Sequence, residues 1–167
     1  MRRNKMDITN FIELKHLSNE HVNLLHSFEL PKEQSQFTSL PINFANVSEG
    51  QFRIVILYHT EPVGFFLLHA TERVKDYTNN QQAMLLTSFS INHSQQGKGY
   101  AKQAMNLLKK FVSDEFPNCN ELVLAVNHKN IAAKQLYKKV GFQDTGKRKV
   151  GPIGEQFIMN LLLSYIL

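Results

Sequence analysis

The chain has 167 residues, 43% of them hydrophobic and 10% aromatic, with a formal net charge of +5. This composition is typical of a globular protein and not of a disordered one, and no apolar run approaches the roughly 20 residues that span a bilayer. The lone cysteine, Cys119, excludes an internal disulfide framework and favours a reducing compartment. No HxxxH or CxxC spacing indicates a metal site. We therefore expect one cytoplasmic domain, residues 1–167, with neither a membrane segment nor a metal.

The charges are unevenly distributed along the chain. Residues 1–83 carry eight Lys or Arg and nine Asp or Glu, whereas residues 84–167 carry 11 and five. The basic second half suggests an anionic ligand or partner, although a solvated lysine-rich face would account for the same charge. A nucleic acid is not the expected partner, because the aromatic residues fall on apolar runs and do not alternate with basic ones.

Hydrophobic periodicity predicts mainly strands in the first half of the chain. Ser18 is a suitable N-cap for a helix over 19–30, and a short helix is expected before Pro41. Residues 60–62 supply a turn that joins two apolar runs as a hairpin. The apolar runs of strand length are 11–17, 51–59, 62–71 and 83–91.

From Ala101 the period changes to that of an amphipathic helix, which Pro117 ends. Asn130 is placed to cap a second helix, and Gly141 to stop it. A strand, helix, strand order of this kind predicts a right-handed crossover between parallel strands, within a mixed sheet that has helices on both sides. The predicted elements are a helix over 101–116, a strand at 121–126, a helix at 130–140 and strands at 142–150 and 155–163.

The stretch QGKGYA, residues 96–101, lies where a predicted strand turns into a helix. The first N–H groups of a helix have no intrahelical partner, and glycines there let an anion approach the backbone closely. The sequence does not match either of two well-known phosphate-binding loops. A Walker loop would follow Gly99 with Lys and Ser or Thr, and a dinucleotide fingerprint would have glycine where Lys102 stands.

The same stretch resembles the Gln/Arg-x-x-Gly-x-Gly/Ala motif of the GNAT superfamily of N-acetyltransferases. About thirty residues later, NIAAKQLYKKVGF (130–142) resembles the Asn-x-x-Ala-x-x-Leu-Tyr-x-x-x-Gly-Phe motif of that family at every defined position. The strand LVLAV lies between the two motifs, in the order that the family requires. The resemblance implies an α/β fold, with a central, mostly antiparallel sheet, one parallel and splayed strand pair, and helices on both faces. It also implies direct transfer of an acetyl group from acetyl-CoA to an amine.

The resemblance further implies which residues hold the donor and supply a proton. The 84–91 strand would splay away from 121–126 and admit the pantetheine arm, and a backbone N–H near Ile91 could stabilise the tetrahedral state. Asn130 would cap its helix, contact the pantetheine arm, or do both. Tyr137 matches the general acid that protonates the departing thiolate, whereas the residue taken alone would be read as helix packing. The implied contacts are the backbone near Phe89 and Ile91 with pantetheine, the backbone amides of Gly97, Lys98, Gly99, Tyr100 and Ala101 with pyrophosphate, Gln96 as a brace of the loop, and Lys98, Lys102 and Lys134 with the outer phosphates.

The general base is not supplied by the resemblance, because the strand before the loop has no carboxylate over 84–90. The alternatives are water, His93, Glu72 and Glu155. Cys119 is expected to take no part in the reaction.

The acceptor is expected to contact 29–50 and the loop at about 147–156. The acidic and aromatic side chains of the first segment favour a small, polyamine-like amine. The segment contains Glu29, Glu33, Gln34, Gln36, Phe37 and Phe44. The alternatives are protein N-termini or lysines, aminoglycosides, and a non-catalytic module that only binds acyl-CoA. The apolar C-terminus, 157–167, could serve a homodimer or be a core strand followed by a tail.

Overall fold

The apolar runs of the sequence form one sheet in a computed structural model, which describes residues 11–38, 40 and 46–163 and, for residues 24 and 25, the backbone alone. Its strands are β1 Ile12–His16, β2 Gln51–Tyr58, β3 Glu61–His69, β4 Ala83–Ile91, β5 Glu121–Asn127, β6 Gln143–Gly151 and β7 Gly154–Leu162. The seven strands are ordered β1-β2-β3-β4-β5-β7-β6. All neighbours pair antiparallel except β4 and β5, which are parallel. The predicted mixed sheet with one parallel pair is therefore present.

The helices are α1 Asn19–Leu25, α2 Lys32–Ser35, α3 Tyr100–Glu115 and α4 Ile131–Lys139. The prediction of one helix over 19–30 is wrong, since α1 ends at Leu25. The backbone N–H of Glu29 donates to Asn92 Oδ1 at 2.9 Å, and its carbonyl accepts from the N–H of His93 at 2.8 Å. Phe28 is buried against the sheet. Tertiary contacts thus use backbone groups that a longer helix would have bonded internally.

The β2–β3 turn begins one residue earlier than predicted and ends two residues earlier. It consists of His59 and Thr60, which have φ angles of 46° and 71°. Two consecutive residues with positive φ are typical of the type I′ turn, whose twist matches that of the two strands. Glu61 and Pro62 consequently belong to β3, and the register shifts at Ile56 and Leu57 where Pro62 joins the ladder.

Helices α3 and α4 pack on the same face of the sheet and bury its main core. Helix α3 is amphipathic, as its period predicts: its buried residues face the sheet, and Lys102, Lys109 and Lys110 are exposed. The opposite face is covered by Val74 and Tyr77 of a short 3-10 turn, and by Phe28 with Leu17, Leu40 and Val47 around it. Strand β5 is buried on both faces, as its continuous apolar run predicts.

The apolar C-terminal segment is a strand of the core over the part that the structure describes. Strand β7 pairs with β5 on one side and β6 on the other, so both of its edges are occupied. Residues 164–167 lie outside the described residues, and the homodimer stays a prediction. The outer strand β6 is largely exposed.

Candidate functional site

A cleft opens in the sheet where the parallel strands β4 and β5 diverge. The two strands pair only from Ala83 to Leu85 on β4, opposite Glu121 to Val123 on β5. Beyond that point β4 continues to Ile91 paired with β3 alone. The cavity that results has a volume of about 530 Å³ and is lined by α2, β4, the 95–101 loop, β5, α4 and the β6–β7 turn. The predicted splay is therefore observed, and Phe89 and Ile91 both line it.

An extra residue in β4 shapes the inner wall of this cleft. Leu67 pairs with Thr87 and Phe65 with Ser90, so β4 has one residue more than β3 between these pairs. Ser88 has a φ of 59°, in the left-handed region that only a β-bulge or turn normally imposes on a serine. The bulge lies beyond Leu85, in the part of β4 whose cleft-facing edge has no strand partner.

The start of α3 forms a cradle of backbone amides at the mouth of the cleft. Gly97 and Gly99 have φ angles of 77° and 82°, which glycine adopts at little cost. Among the described residues none accepts a hydrogen bond from the N–H groups of 97–101, and no side chain caps the helix. No atom lies within 4 Å of where a Cβ would stand on Gly97. The loop therefore offers free donors at the positive end of a 16-residue helix, an arrangement that suits an anion.

Gln96 connects this cradle to both walls of the cleft. Its Nε2 donates to the carbonyl oxygen of Ile91 at 2.9 Å and to Gln34 Oε1 at 2.9 Å, and Gln34 Nε2 donates back to Gln96 Oε1 at 3.1 Å. Gln96 thus links the loop to the end of β4 and to α2.

The three lysines expected near the phosphates do not line the cavity. Lys98 donates to Gln95 Oε1 at 3.1 Å, and Lys102 is exposed on α3. The ammonium of Lys134 lies 4.4 Å from the ring centre of Phe157. Lys98 and Lys102 stand beside the cradle in sequence, whereas Lys134 is used in a cation–π contact.

The C-terminal turn of α4 fixes the position of Tyr137 in the cavity wall. The N–H of Phe142 donates to the carbonyl of Tyr137 and that of Gly141 to the carbonyl of Lys138, and Gly141 has a φ of 108°. These are the bonds of a Schellman motif, whose usual apolar contact is the ring pair of Tyr137 and Phe142 at 5.6 Å. The spacing Tyr-x-x-x-Gly-Phe therefore has a local structural reason.

The side chain of Tyr137 is mostly buried, and its hydroxyl has no hydrogen-bond partner among the described residues. Burial raises the pKa of Tyr137 to about 12. The side chain is 8% exposed and lines the cavity. A phenol in this environment stays protonated at neutral pH and keeps its proton for a ligand.

Asn130 has the capping role that its position predicts. Its Oδ1 accepts from the N–H of Ala133 at 3.3 Å, and the residue also lines the cavity. Both readings of this residue, as helix cap and as ligand contact, are compatible with where it lies.

Glu33 is the only charged side chain that lines the cavity among the described residues. The three candidate bases lie elsewhere. His93 is exposed in the turn after β4, Glu72 pairs with Lys75 at 2.6 Å, and Glu155 lies 3.8 Å from Arg148. None of them lines the cavity, and Cys119 is buried at a distant end of the sheet.

In the basic run at 147–149, the side chains of Arg148 and Lys149 make contacts outside the cleft. Arg148 binds Asp144 at 2.8 Å and stacks 3.9 Å from the ring centre of Phe157, while Lys149 lies 4.4 Å from that of Tyr77. Of the loop that is expected to contact the acceptor, three residues line the cavity: Pro152, Ile153 and Gln156.

A buried histidine behind the cleft was not singled out by the sequence. His69 is 1% exposed, and its Nε2 lies 2.6 Å from Thr87 Oγ1 on the cavity wall. Gln51 Oε1 accepts from the N–H of Ser48, so its amide nitrogen faces His69 Nδ1 at 3.5 Å. Nδ1 is therefore the acceptor, and Nε2 donates to Thr87. Burial, and then the charge of Arg73, lower the pKa of His69 to about 4, which keeps the ring neutral.

Two residues that line this cavity each have a hydroxyl oxygen that is buried without a partner. The oxygens are Ser90 Oγ and Thr38 Oγ1, the two such side-chain atoms among the described residues. A buried polar atom left unpaired costs about 1–3 kcal/mol, so its presence in a native fold calls for an explanation. Sequence reasoning missed both residues, because a serine in an apolar strand gives no signal of its own.

No helix in the described part of the chain is long and apolar enough to cross a membrane. Among the same residues, no group of three or more His, Cys, Asp or Glu side chains is arranged to hold a metal ion.

Comparisons with known proteins agree on one family. A family model described as the acetyltransferase (GNAT) family matches residues 19–142. The uncharacterized N-acetyltransferase YbbJ of Bacillus subtilis (strain 168) is 48% identical over 160 residues, which cover 93% of this chain and 100% of that protein.

Solved structures of acetyltransferases share the fold. The aminoglycoside acetyltransferase AAC(6')-Ib, in complex with paromomycin and acetyl-CoA, superposes with a TM-score of 0.71 at 15% identity and covers 90% of this chain and 93% of its own. Spermidine N-acetyltransferase from Vibrio cholerae, in complex with CoA and spermine, gives a TM-score of 0.68 at 18% identity, with 92% and 96% covered. At these identities the two likenesses concern the fold alone.

Proposed function

The chain belongs to the GNAT family of acetyltransferases, and from this we propose that it transfers the acetyl group of acetyl-CoA directly to a small primary amine. The observation that carries the proposal is a single cavity that joins the amide cradle at 97–101, the phenol of Tyr137 and the carboxylate of Glu33. These are the three groups that the reaction needs, for the donor, the leaving group and the acceptor.

Support for the donor comes from the fit of the cradle to a pyrophosphate. Backbone amides of Gly97 to Ala101 are free to donate, and space is open over Gly97. Gln96 fixes this loop to the end of β4. The edge of β4 from Phe89 to Ile91 lacks a strand partner and can pair with the amide groups of pantetheine as an added strand would.

Support for the chemistry comes from Tyr137. The amine nitrogen attacks the thioester carbonyl carbon, a C–N bond forms, and the C–S bond breaks with its electron pair on sulfur. The backbone N–H near Ile91 stabilises the oxygen in the tetrahedral state, and Tyr137 gives its proton to the sulfur. The candidate bases His93, Glu72 and Glu155 do not line the cavity, and Glu33 is assigned to the acceptor. The amine therefore loses its proton to water, and the phenolate of Tyr137 recovers a proton from solvent.

Support for a small cationic acceptor comes from Glu33 and its surroundings. The carboxylate lies in a wall otherwise built of uncharged groups, which include Gln36 and Phe37. An ammonium group entering from this side meets one negative charge and an aromatic ring. A polyamine-like molecule has both the reactive amine and the additional cation that this wall suits.

The experiment that tests the proposal measures thiol release from acetyl-CoA with a panel of polyamines, aminoglycosides, amino acids and short peptides. We expect an amine-dependent signal with the polyamines, and a fall of about a hundredfold in kcat when Tyr137 is replaced by Phe, a typical loss for a general acid. The phenylalanine keeps the ring contact with Phe142, so the variant should still fold and bind coenzyme A.

Other outcomes would assign a different function. A signal confined to peptides or aminoglycosides would name those as acceptors. Silence across the panel, with coenzyme A still bound, would favour a module that binds acyl-CoA without catalysis. Tyr137→Phe turnover at the wild-type rate would show that Tyr137 is not the acid.

A further inference from the structure

The segment that carries α2 is hydrogen-bonded at two places to the segment that precedes the amide cradle. The backbone N–H of Glu29 donates to Asn92 Oδ1 at 2.9 Å, and its carbonyl accepts from the N–H of His93 at 2.8 Å. Further along, the side chains of Gln34 and Gln96 make the second attachment. The wall that is expected to contact the acceptor is therefore joined to the loop that is expected to hold the donor.

The second attachment consists of two hydrogen bonds that run in opposite directions. Gln96 Nε2 donates to Gln34 Oε1 at 2.9 Å, and Gln34 Nε2 donates to Gln96 Oε1 at 3.1 Å. Gln96 Nε2 also donates to the carbonyl oxygen of Ile91 at 2.9 Å. A side-chain amide has two N–H donors, so these contacts use both donors of Gln96. Gln34 thus fixes the orientation of the amide with which Gln96 ties the loop to β4.

Helix α2 depends on this amide pair for its position. None of its four residues is buried, and its N-cap makes no side-chain hydrogen bond. The hydroxyl of Ser35 donates within the helix, to the carbonyl of Lys32 at 2.9 Å. A single helical turn without buried side chains is not stable by itself, so contacts with the rest of the molecule must hold it. Gln34 is the residue of α2 whose side chain reaches the loop.

We propose that Gln34 is a positioning residue that acts through Gln96, so that the amide pair couples the α2 wall of the cleft to the donor loop. This inference rests on the proposed acetyl transfer. A donor anion on the N–H groups of 97–101 holds the loop, the loop holds Gln96, and Gln96 holds α2. Because coupling between two sites is reciprocal, a well-ordered α2 in turn favours binding of the donor.

The test is a double-mutant cycle of Gln34→Ala and Gln96→Ala, with the affinity for coenzyme A measured by calorimetry. Gln34→Ala should weaken binding by roughly three- to fivefold, and Gln96→Ala by roughly tenfold or more, since it also loses the contact with Ile91. The double variant should bind as Gln96→Ala does, within about twofold, because Gln34 acts through Gln96. Ser35→Ala, the matched control on the same helix, lies outside the cavity and should keep the affinity within about twofold.

A second measurement separates positioning from chemistry. With spermidine as the probe amine and saturating acetyl-CoA, Gln34→Ala should raise the KM for spermidine by about threefold, because α2 is held less firmly. It should leave kcat within about twofold, because Tyr137 belongs to α4 and keeps its contacts. A fall in kcat with an unchanged KM would give Gln34 a part in the chemical step and would overturn its role as a positioning residue.

Two further results would overturn the inference in distinguishable ways. If the losses of the single variants multiply in the double variant, or if Gln34→Ala binds coenzyme A as the wild type does, Gln34 does not act through Gln96 while acetyl transfer stands. The cycle uses coenzyme A alone, so it decides on Gln34 whichever amine is acetylated. If the wild type does not bind coenzyme A, the proposed function fails and the coupling fails with it.

Discussion

At the scale of single residues, the pKa of Tyr137 determines how the reaction should depend on pH. Burial raises the pKa of this phenol to about 12. The acid therefore stays protonated over the whole range in which an amine acceptor loses its proton. We expect kcat/KM to rise with pH as the amine becomes neutral and to show no alkaline fall below about pH 10.

The measurement is a pH profile of thiol release, with Tyr137→Phe as the reference for activity without the acid. An alkaline limb near pH 10 in the wild type that is missing in Tyr137→Phe would mean that the phenol titrates at its ordinary pKa. The buried environment that the structure gives to the Tyr137 side chain would then not apply to the working enzyme.

At the scale of elements, Gly97 in the strand-to-helix loop can be compared with Gly146, which has a similar backbone conformation outside the site. Gly97 has a φ of 77° and Gly146 a φ of 82°, and a Cβ on either would meet nothing within 4 Å. Replacement by Glu should cost both positions about 1 kcal/mol, the penalty for a side chain in left-handed backbone. Only at Gly97 does the new carboxylate face the amide cradle.

We therefore expect Gly97→Glu to weaken coenzyme A binding by about tenfold or more, through repulsion between its carboxylate and the phosphates. Gly146→Glu, on the exposed strand β6, should leave the affinity within about twofold while losing the same stability. Calorimetry with coenzyme A and urea denaturation measure the two quantities separately. Equal affinities for the two variants would contradict the assignment of the cradle.

At the scale of the whole molecule, His69 connects three strands of the sheet, because it contacts Gln51 on β2 and Thr87 on β4 from its place on β3. Its pKa is lowered from 6.5 to about 4 in the folded state, first by burial. As the pH is lowered, the unfolded chain therefore takes up a proton at His69 at a higher pH than the folded chain does. Stability should be retained above pH 6.5 and decline as the pH falls from 6.5 to about 4.

The test is the urea midpoint at pH 7 and pH 5 for the wild type and for His69→Gln. The variant removes the titrating group, so its midpoint should fall less over this interval than that of the wild type. The comparison cancels the contributions of the other six histidines. An equal fall in both proteins would mean that His69 is not held neutral by the fold.

The sequence by itself determined the elements of the fold and the local parts of the site. Strand β4, helix α3 and the N-cap of α4 follow from periodicity and capping, which depend on neighbours a few residues away. The cradle at 97–101 and the Schellman turn after Tyr137 are local for the same reason, since glycine φ angles fix both. The family and its fold, which the two motifs predicted, are confirmed by the matching family model and by the shared fold of the solved acetyltransferases.

Only the tertiary structure decided which side chains meet in the cleft. Ser90 and Thr38 are far apart in the chain and line one cavity because β4 splays and the segment after α1 folds over that face of the sheet. The same packing ended α1 early and left His93 outside the cavity. Desolvation and juxtaposition of this kind depend on which distant surfaces cover each other, and no local pattern of residues encodes that.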